Sequence, residues 1–296
     1  MSLLRASGSW LASRKAQPTS PALRVLNPGD ERAVTDLLDA DPLGGVFVAS
    51  RIQSGGLVSW RMGAEVWGWD TGGRLEGVCY AGANLVPVAQ QAGALDAFAE
   101  RAVRQGRRCS SIMGRVEAVL GFWRRVEQEW GPAREVRPNQ PLLVTSAPAA
   151  VRADPRVRPA RPEELDVVFP AAVAMFTEEV GVTPVGADGG ALYRARLAEL
   201  ISTGRLLVIA AGGEVIFKAD IAAVSPHACQ VQGVWVHPDH RGQGLGTAAT
   251  AAVVNHALAH IAPVVTLYVN DYNIAARRSY RRVGMRPAGT FASVLF

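Results

Sequence analysis

The sequence predicts an α/β fold built twice, and three observations predict it. A proline-rich stretch at residues 146–162 divides the chain near its middle. On each side a pair of apolar runs is broken by a glycine turn, and behind each pair comes a long helical segment. With 296 residues, 49% of them hydrophobic, the chain is long enough to bury two cores of ordinary domain size.

Taken in order, residues 1–22 are rich in Ser, Ala, Arg and Pro without periodicity and read as a flexible tail. Each half then opens on a turn that leads into an acidic helix start, Asn27-Pro-Gly-Asp-Glu-Arg in the first and Arg161-Pro-Glu-Glu-Leu-Asp in the second. Carboxylates in a first turn suit the positive end of a helix dipole. Hairpins follow at 64–69 and 75–81, around Thr71-Gly72-Gly73, and at 206–211 and 215–223, around Gly212-Gly213. Helices are expected at 94–105 and 246–262, then in each half a short strand, a second helix and a last strand. The chain's final strand, 290–296, alternates as a half-buried strand should. The expected units are therefore 23–146 and 157–296, joined by a linker at 147–156.

Composition narrows the function classes. No apolar stretch approaches the roughly 18 residues of a membrane span and the N-terminus lacks the apolar core of a secretory signal, so a cytoplasmic location is expected. Cys79, Cys109 and Cys229 are too scattered for a disulfide framework or a thiolate metal site. His237/His240 and His256/His260 have zinc-like spacing but no cysteine or carboxylate partners nearby, and no metal is predicted. The net charge is +5, yet the basic residues fall in several places without interleaved aromatics, which does not favour nucleic acid. Only Lys15 and Lys218 are lysines, so Schiff-base chemistry would have to rest on Lys218, inside the apolar run 206–224.

The most informative stretch is 230–247, QVQGVWVHPDHRGQGLGT. An apolar strand, a turn at Pro238, glycines at 242, 244 and 246 and then an Ala-rich helix make a pocket of outward-pointing backbone N–H groups, which suits phosphate. A Walker loop would need a Gly-Lys-Ser/Thr that is missing, and a dinucleotide fingerprint would need glycine at 247, where Thr247 stands. A second constellation spans 267–285. Asn273, Ala276 and Tyr280 share one face of a helix that Gly284 terminates.

At this point the residues resemble a known family. Arg241-x-x-Gly244-x-Gly246 after Val234-x-Val236-x-Pro238, followed by Asn273-x-x-Ala276-x-x-x-Tyr280-x-x-x-Gly284, is similar to the coenzyme A motifs of the GCN5-related N-acetyltransferases (GNAT). The resemblance covers about 157–296. It also extends to actinobacterial proteins that place a degenerate N-terminal domain before the transferase. It implies tandem GNAT-like domains with a mixed sheet, the C-terminal one with intact CoA motifs. It implies acetyl-CoA as co-substrate, with the backbone of Val234, Trp235 and Val236 pairing with the pantetheine amides. Amides of Arg241, Gly242, Gln243, Gly244, Leu245, Gly246 and Thr247 would hold the pyrophosphate, and Asn273, with Ala276 on the same face, would meet the pantetheine arm.

The implied chemistry is direct attack of an amine on the thioester, with Tyr280 near the sulfur as general acid. The family commonly supplies its base from the central strand, but that strand offers Gln230 and Gln232, and glutamine cannot take a proton at neutral pH. Glu178 and Glu179, at the end of the second half's first helix, are the candidate base, with the choice between them open. The first half has a single glycine where the phosphate loop should be, at 86–95, and its later helix, 116–130, has neither Asn nor Tyr. One active site is therefore expected, in the second half, acting on a small-molecule or protein amine. The rival reading is a catalytically silent CoA-binding regulator or scaffold.

Overall fold

The computed structural model describes residues 21–296, so the expected tail lies outside the described residues except for its last two. The first half runs β1 (Ala22–Val25), α1 (Glu31–Asp39), α2 (Val46–Gly55), α3 (Ser59–Met62), β2 (Glu65–Thr71), β3 (Arg74–Ala81), β4 (Asn84–Val88), α4 (Ala92–Gln105), β5 (Ser111–Arg115), α5 (Val116–Trp130) and β6 (Glu135–Thr145). The second repeats the plan as β7 (Arg158–Pro159), α6 (Leu165–Val180), α7 (Ala191–Ser202), β8 (Leu206–Ala211), β9 (Glu214–Val224), β10 (Cys229–Val236), α8 (Leu245–His260), β11 (Val265–Tyr268), α9 (Ile274–Val283) and β12 (Arg286–Leu295).

All twelve strands form one mixed sheet in the order β1-β2-β3-β4-β5-β12-β6-β11-β10-β9-β8-β7. The order carries an exchange. The first five strands of each half are followed by the last strand of the other, β12 beside β5 and β6 beside β11. The exchange pairs the open edges that β5 and β11 would otherwise leave, and β6 and β12 join antiparallel at the centre. Buried side chains tie the seam: Ser293 donates to Gln140 (2.7 Å), and Gln140 donates to Asn270 on the second half (2.8 Å).

Helices cover both faces. In the second half α8 packs through Ala249, Val253, Val254 and Ala257 onto one face of the sheet, while α6 and α7 pack through Val168, Ala172 and Leu197 onto the other. The first half does the same, with α4 and α5 on one face and α1 and α2 on the other. Across the seam Val46 of α2 meets Ala223 and Ala228 of the second half.

Residues 147–156, expected to have little to pack, instead run along the second half. Ala149 N–H donates to Asn255 (2.8 Å), Ala150 N–H to the Val283 carbonyl (2.8 Å) and Asp154 N–H to the Ala248 carbonyl (3.0 Å), while Ala149, Val151 and Ala153 lie on its core. The small side chains between the prolines are what let this stretch lie so close to α8 and α9.

Candidate active site

The site begins with a failure of pairing. β10 and β11 are parallel neighbours only at Cys229/Val265 and Gln230/Thr266, and beyond Gln230 the two strands splay apart. On its other side β10 breaks register with β9 between Gln232 and Trp235. Gly233 sits at that break with φ +56°, and a Cβ there would stand 2.8 Å from Asp220 Oδ2, 2.9 Å from Met175 Cε and 3.0 Å from Lys218 Nζ. Only glycine fits this bulge.

The bulge is held from below. Lys218, wholly buried in β9, donates from Nζ to the Gly233 carbonyl (3.1 Å) and to Asp220 Oδ2 (2.8 Å). The sequence offered Lys218 for Schiff-base chemistry. Its Nζ is instead taken up by the Asp220 carboxylate and the Gly233 carbonyl. Asp220 Oδ1, buried, has no hydrogen-bond partner among the described residues.

At the far end of the splay, residues 237–244 lead into α8. Gly244 caps the helix at φ +83°, a left-handed conformation, and nothing stands within 4 Å of where its Cβ would be. Among the described residues no hydrogen bond takes up the N–H groups of residues 242–246. A row of free amides at the N-terminus of a 16-residue helix, in open space, is a site for an anion. Thr247 Oγ1 and Ser279 Oγ, 3.0 Å apart, link α8 to α9.

Between the splayed strands and α6 opens a cavity of about 610 Å³, walled by both halves. Glu178, Glu179, Val234, Trp235, Asn273 and Tyr280 line it, whereas the glycine loop lies outside it. Asn273 is the N-cap of α9, its Oδ1 accepting from Ala276 N–H (3.1 Å), so both residues are engaged in the helix start and Asn273 keeps its amide N–H₂ to offer. The two glutamates, left open by sequence, differ in surroundings. Glu178 accepts from Arg241 Nη2 (2.8 and 3.1 Å) and from the Trp235 indole N–H (3.2 Å), and Arg241 also donates to the Val236 carbonyl (2.9 Å).

The carboxylate of Glu179 has no such partner among the described residues. It is reached by solvent through the cavity but lies deep in the concavity, and this burial raises its pKa above the usual carboxylate range, with Arg137 and Lys218 pulling back and Asp220 adding to the rise. Burial, and then the charge of Glu179, likewise push the Tyr280 phenol up, so it holds its proton at neutral pH. Sequence reasoning missed Asp220, Arg137 and Arg51 at this cavity. The signal for Asp220 was a charge two residues after Lys218 in an otherwise apolar strand.

Comparison with known proteins accords with this geometry. Residues 183–285 match the acetyltransferase (GNAT) family model, and residues 64–168 match a domain of unknown function, DUF4081. No curated protein matches the chain. Among solved structures, a GNAT-family acetyltransferase from Colwellia psychrerythraea is 13% identical, with 93% of this chain and 99% of that one covered at a TM-score of 0.55. A GCN5-related N-acetyltransferase from Sphaerobacter thermophilus is 15% identical over 94% and 96%, also at 0.55. A tandem GNAT protein from the clavulanic acid biosynthesis pathway is 15% identical over 93% and 98%, at 0.50. Fold and slot together define a tandem protein of the GNAT fold. More particularly, its C-terminal half carries a GNAT-family acetyltransferase domain, preceded by a DUF4081 domain.

Proposed function

We propose that the protein is an acetyl-CoA-dependent N-acetyltransferase with one active site, in the unit 157–296, and that the unit 23–146 walls its acceptor cavity. One observation supports this most: the splay of β10 from β11 runs into the free amides of residues 242–246. Those amides would hold the pyrophosphate, and the unpaired backbone edge of Val234, Trp235 and Val236 would pair with the pantetheine amides as an added strand. Acetyl-CoA supplies the acyl thioester when bound. The rest falls to this chain's own residues.

Glu179 accepts a proton from the acceptor ammonium, and the freed amine attacks the thioester carbon. As the C–N bond forms and the C–S bond breaks, Tyr280 returns a proton to the leaving sulfur. Lys218, by fixing the Gly233 carbonyl, holds the bulge from which the edge of Val234, Trp235 and Val236 runs. Glu178, tied to Arg241, positions the phosphate loop and takes no proton.

Calorimetric titration of acetyl-CoA tests this reading, with one site per chain expected; two sites would make the first half a second transferase. In the same protein Tyr280→Phe should lower kcat about 100-fold at unchanged acetyl-CoA affinity. Unchanged kcat would remove Tyr280 as the acid. Binding without thiol release for any amine would favour the silent regulator.

A further inference from the structure

Charged groups of opposite sign line the cavity from the two halves. Arg51 of α2 lines it from the first half, its guanidinium over the Phe47 ring at 5.1 Å, and no carboxylate among the described residues pairs with it. Its cationic neighbour Arg196 is satisfied, donating to Glu199 Oε2 (2.7 Å) and to the Ala222 carbonyl (2.8 Å). Burial, and then the Arg196 charge, lower the Arg51 pKa, with Tyr80 and Glu199 pulling the other way. On the second half Asp220, paired with Lys218 through Oδ2, keeps its buried Oδ1 without a donor, and Glu179 lines the same cavity with no ion-pair partner among the described residues.

The two sides share one cavity: Arg51 lines it from α2, and Glu179 and Asp220 line it from α6 and β9, with Arg196 tied to β9 at the Ala222 carbonyl (2.8 Å).

From these charges we infer that the acceptor is a small amino-carboxylate of the amino-acid class. Its ammonium is held by Asp220 and Glu179, and its carboxylate by Arg51 of the N-terminal half. The inference rests on the acyltransferase reading and gives it a substrate class. Arg51 replaces the water its guanidinium and the carboxylate lose, and a neutral or purely cationic amine leaves it unanswered. Discrimination then comes from the half that lacks its own phosphate loop.

The test uses the full chain with acetyl-CoA and matched probes: glycine, alanine, leucine, phenylalanine and glutamate, their α-carboxamides, and spermidine, with free thiol as the readout. At least one carboxylate should be turned over with kcat/KM ten or more times that of its carboxamide. Arg51→Gln should bring the two together through a higher KM for the carboxylate, with Arg51→Lys between. Acetyl-CoA heat retained by both variants shows that they fold. Carboxamides or spermidine turned over as well as the carboxylates, no turnover of any carboxylate, or a ratio that survives Arg51→Gln would each overturn the inference while acetyl-CoA still binds. Absence of acetyl-CoA heat in the wild type would instead overturn the acyltransferase reading, and this inference with it.

Discussion

The two halves make the same opening in the sheet and treat it differently. β4 and β5 of the first half pair in parallel at only two positions, Asn84/Ser111 and Leu85/Ile112, just as β10 and β11 do. Beyond that point the second half inserts residues 237–244 before α8 and residues 269–273 before α9, whereas the first has only residues 89–91 before α4 and starts α5 directly after β5. Where β9 carries Lys218 and Asp220, the same distance from the hairpin turn on β3 brings Val78 and Tyr80, both buried apolar residues. α5 packs Phe122 and Trp123 into the core. One opening is lengthened and charged, the other shortened and apolar. A slot shared by both halves is thus a property of the fold, and function follows from the loops and the polar groups placed at it.

The largest effect that could break this comparison is at the helix N-termini. Gly244→Glu places a Cβ at φ +83° and a carboxylate among the free amides, and acetyl-CoA binding should be lost, by at least 100-fold in Kd. The corresponding N-cap of α4 is Gln91, exposed and on a short loop. Gln91→Glu should leave the calorimetric titration unchanged. A loss of heat at Gln91 instead would mean that the first half binds the cofactor.

Next in size is the buried pair. Lys218→Met leaves the Asp220 carboxylate buried and unpaired and should cost about 3–5 kcal/mol in a denaturant melt. The double change Lys218→Met, Asp220→Leu makes β9 apolar, as β3 already is, and should recover most of that stability. It should not recover turnover, because the Gly233 carbonyl has lost its donor. Recovery of both would reduce the pair to a structural feature.

What the sequence could tell differs between the halves for physical reasons. The hairpins were legible because Gly72-Gly73 and Gly212-Gly213 lie between short apolar runs, and the structure has them at β2/β3 and β8/β9. The turn into α8 was legible because closely spaced glycines before a helix are rare without a reason, and the structure has free amides there. The strand exchange was not, since no local pattern says which edge β6 or β12 will seek; that is decided by the open edges of β5 and β11, far away in sequence. Glu178 and Glu179 were equally legible and indistinguishable. Neighbouring helical residues point about 100° apart, and which of them meets Arg241 depends on the phase of α6 against a loop about 60 positions later. Arg51 was invisible because its meaning comes only from the half it faces.

The smallest effect separates those two glutamates. A carboxyl whose pKa is raised in the folded protein binds its proton more tightly there than in the unfolded chain, so folding is favoured below the unfolded value of 4.5 and that advantage is lost as pH rises through the raised one. Glu179→Gln, which cannot ionise, should therefore melt slightly above the wild type at neutral pH, and the gap should close as pH falls toward 4.5. Solvent in the cavity screens the charge and keeps the difference small. In kinetics the same group acts with the opposite sense, because the base must be ionised. The acid limb of kcat/KM should lie above the ordinary glutamate range in the wild type, with Arg137 and Lys218 holding it down and Asp220 and burial holding it up, and Glu179→Gln should remove that limb along with most of kcat. Glu178→Gln, which loosens Arg241, should instead weaken acetyl-CoA binding and keep the limb. The reverse pattern would exchange the two roles and put the proton on the residue beside Trp235.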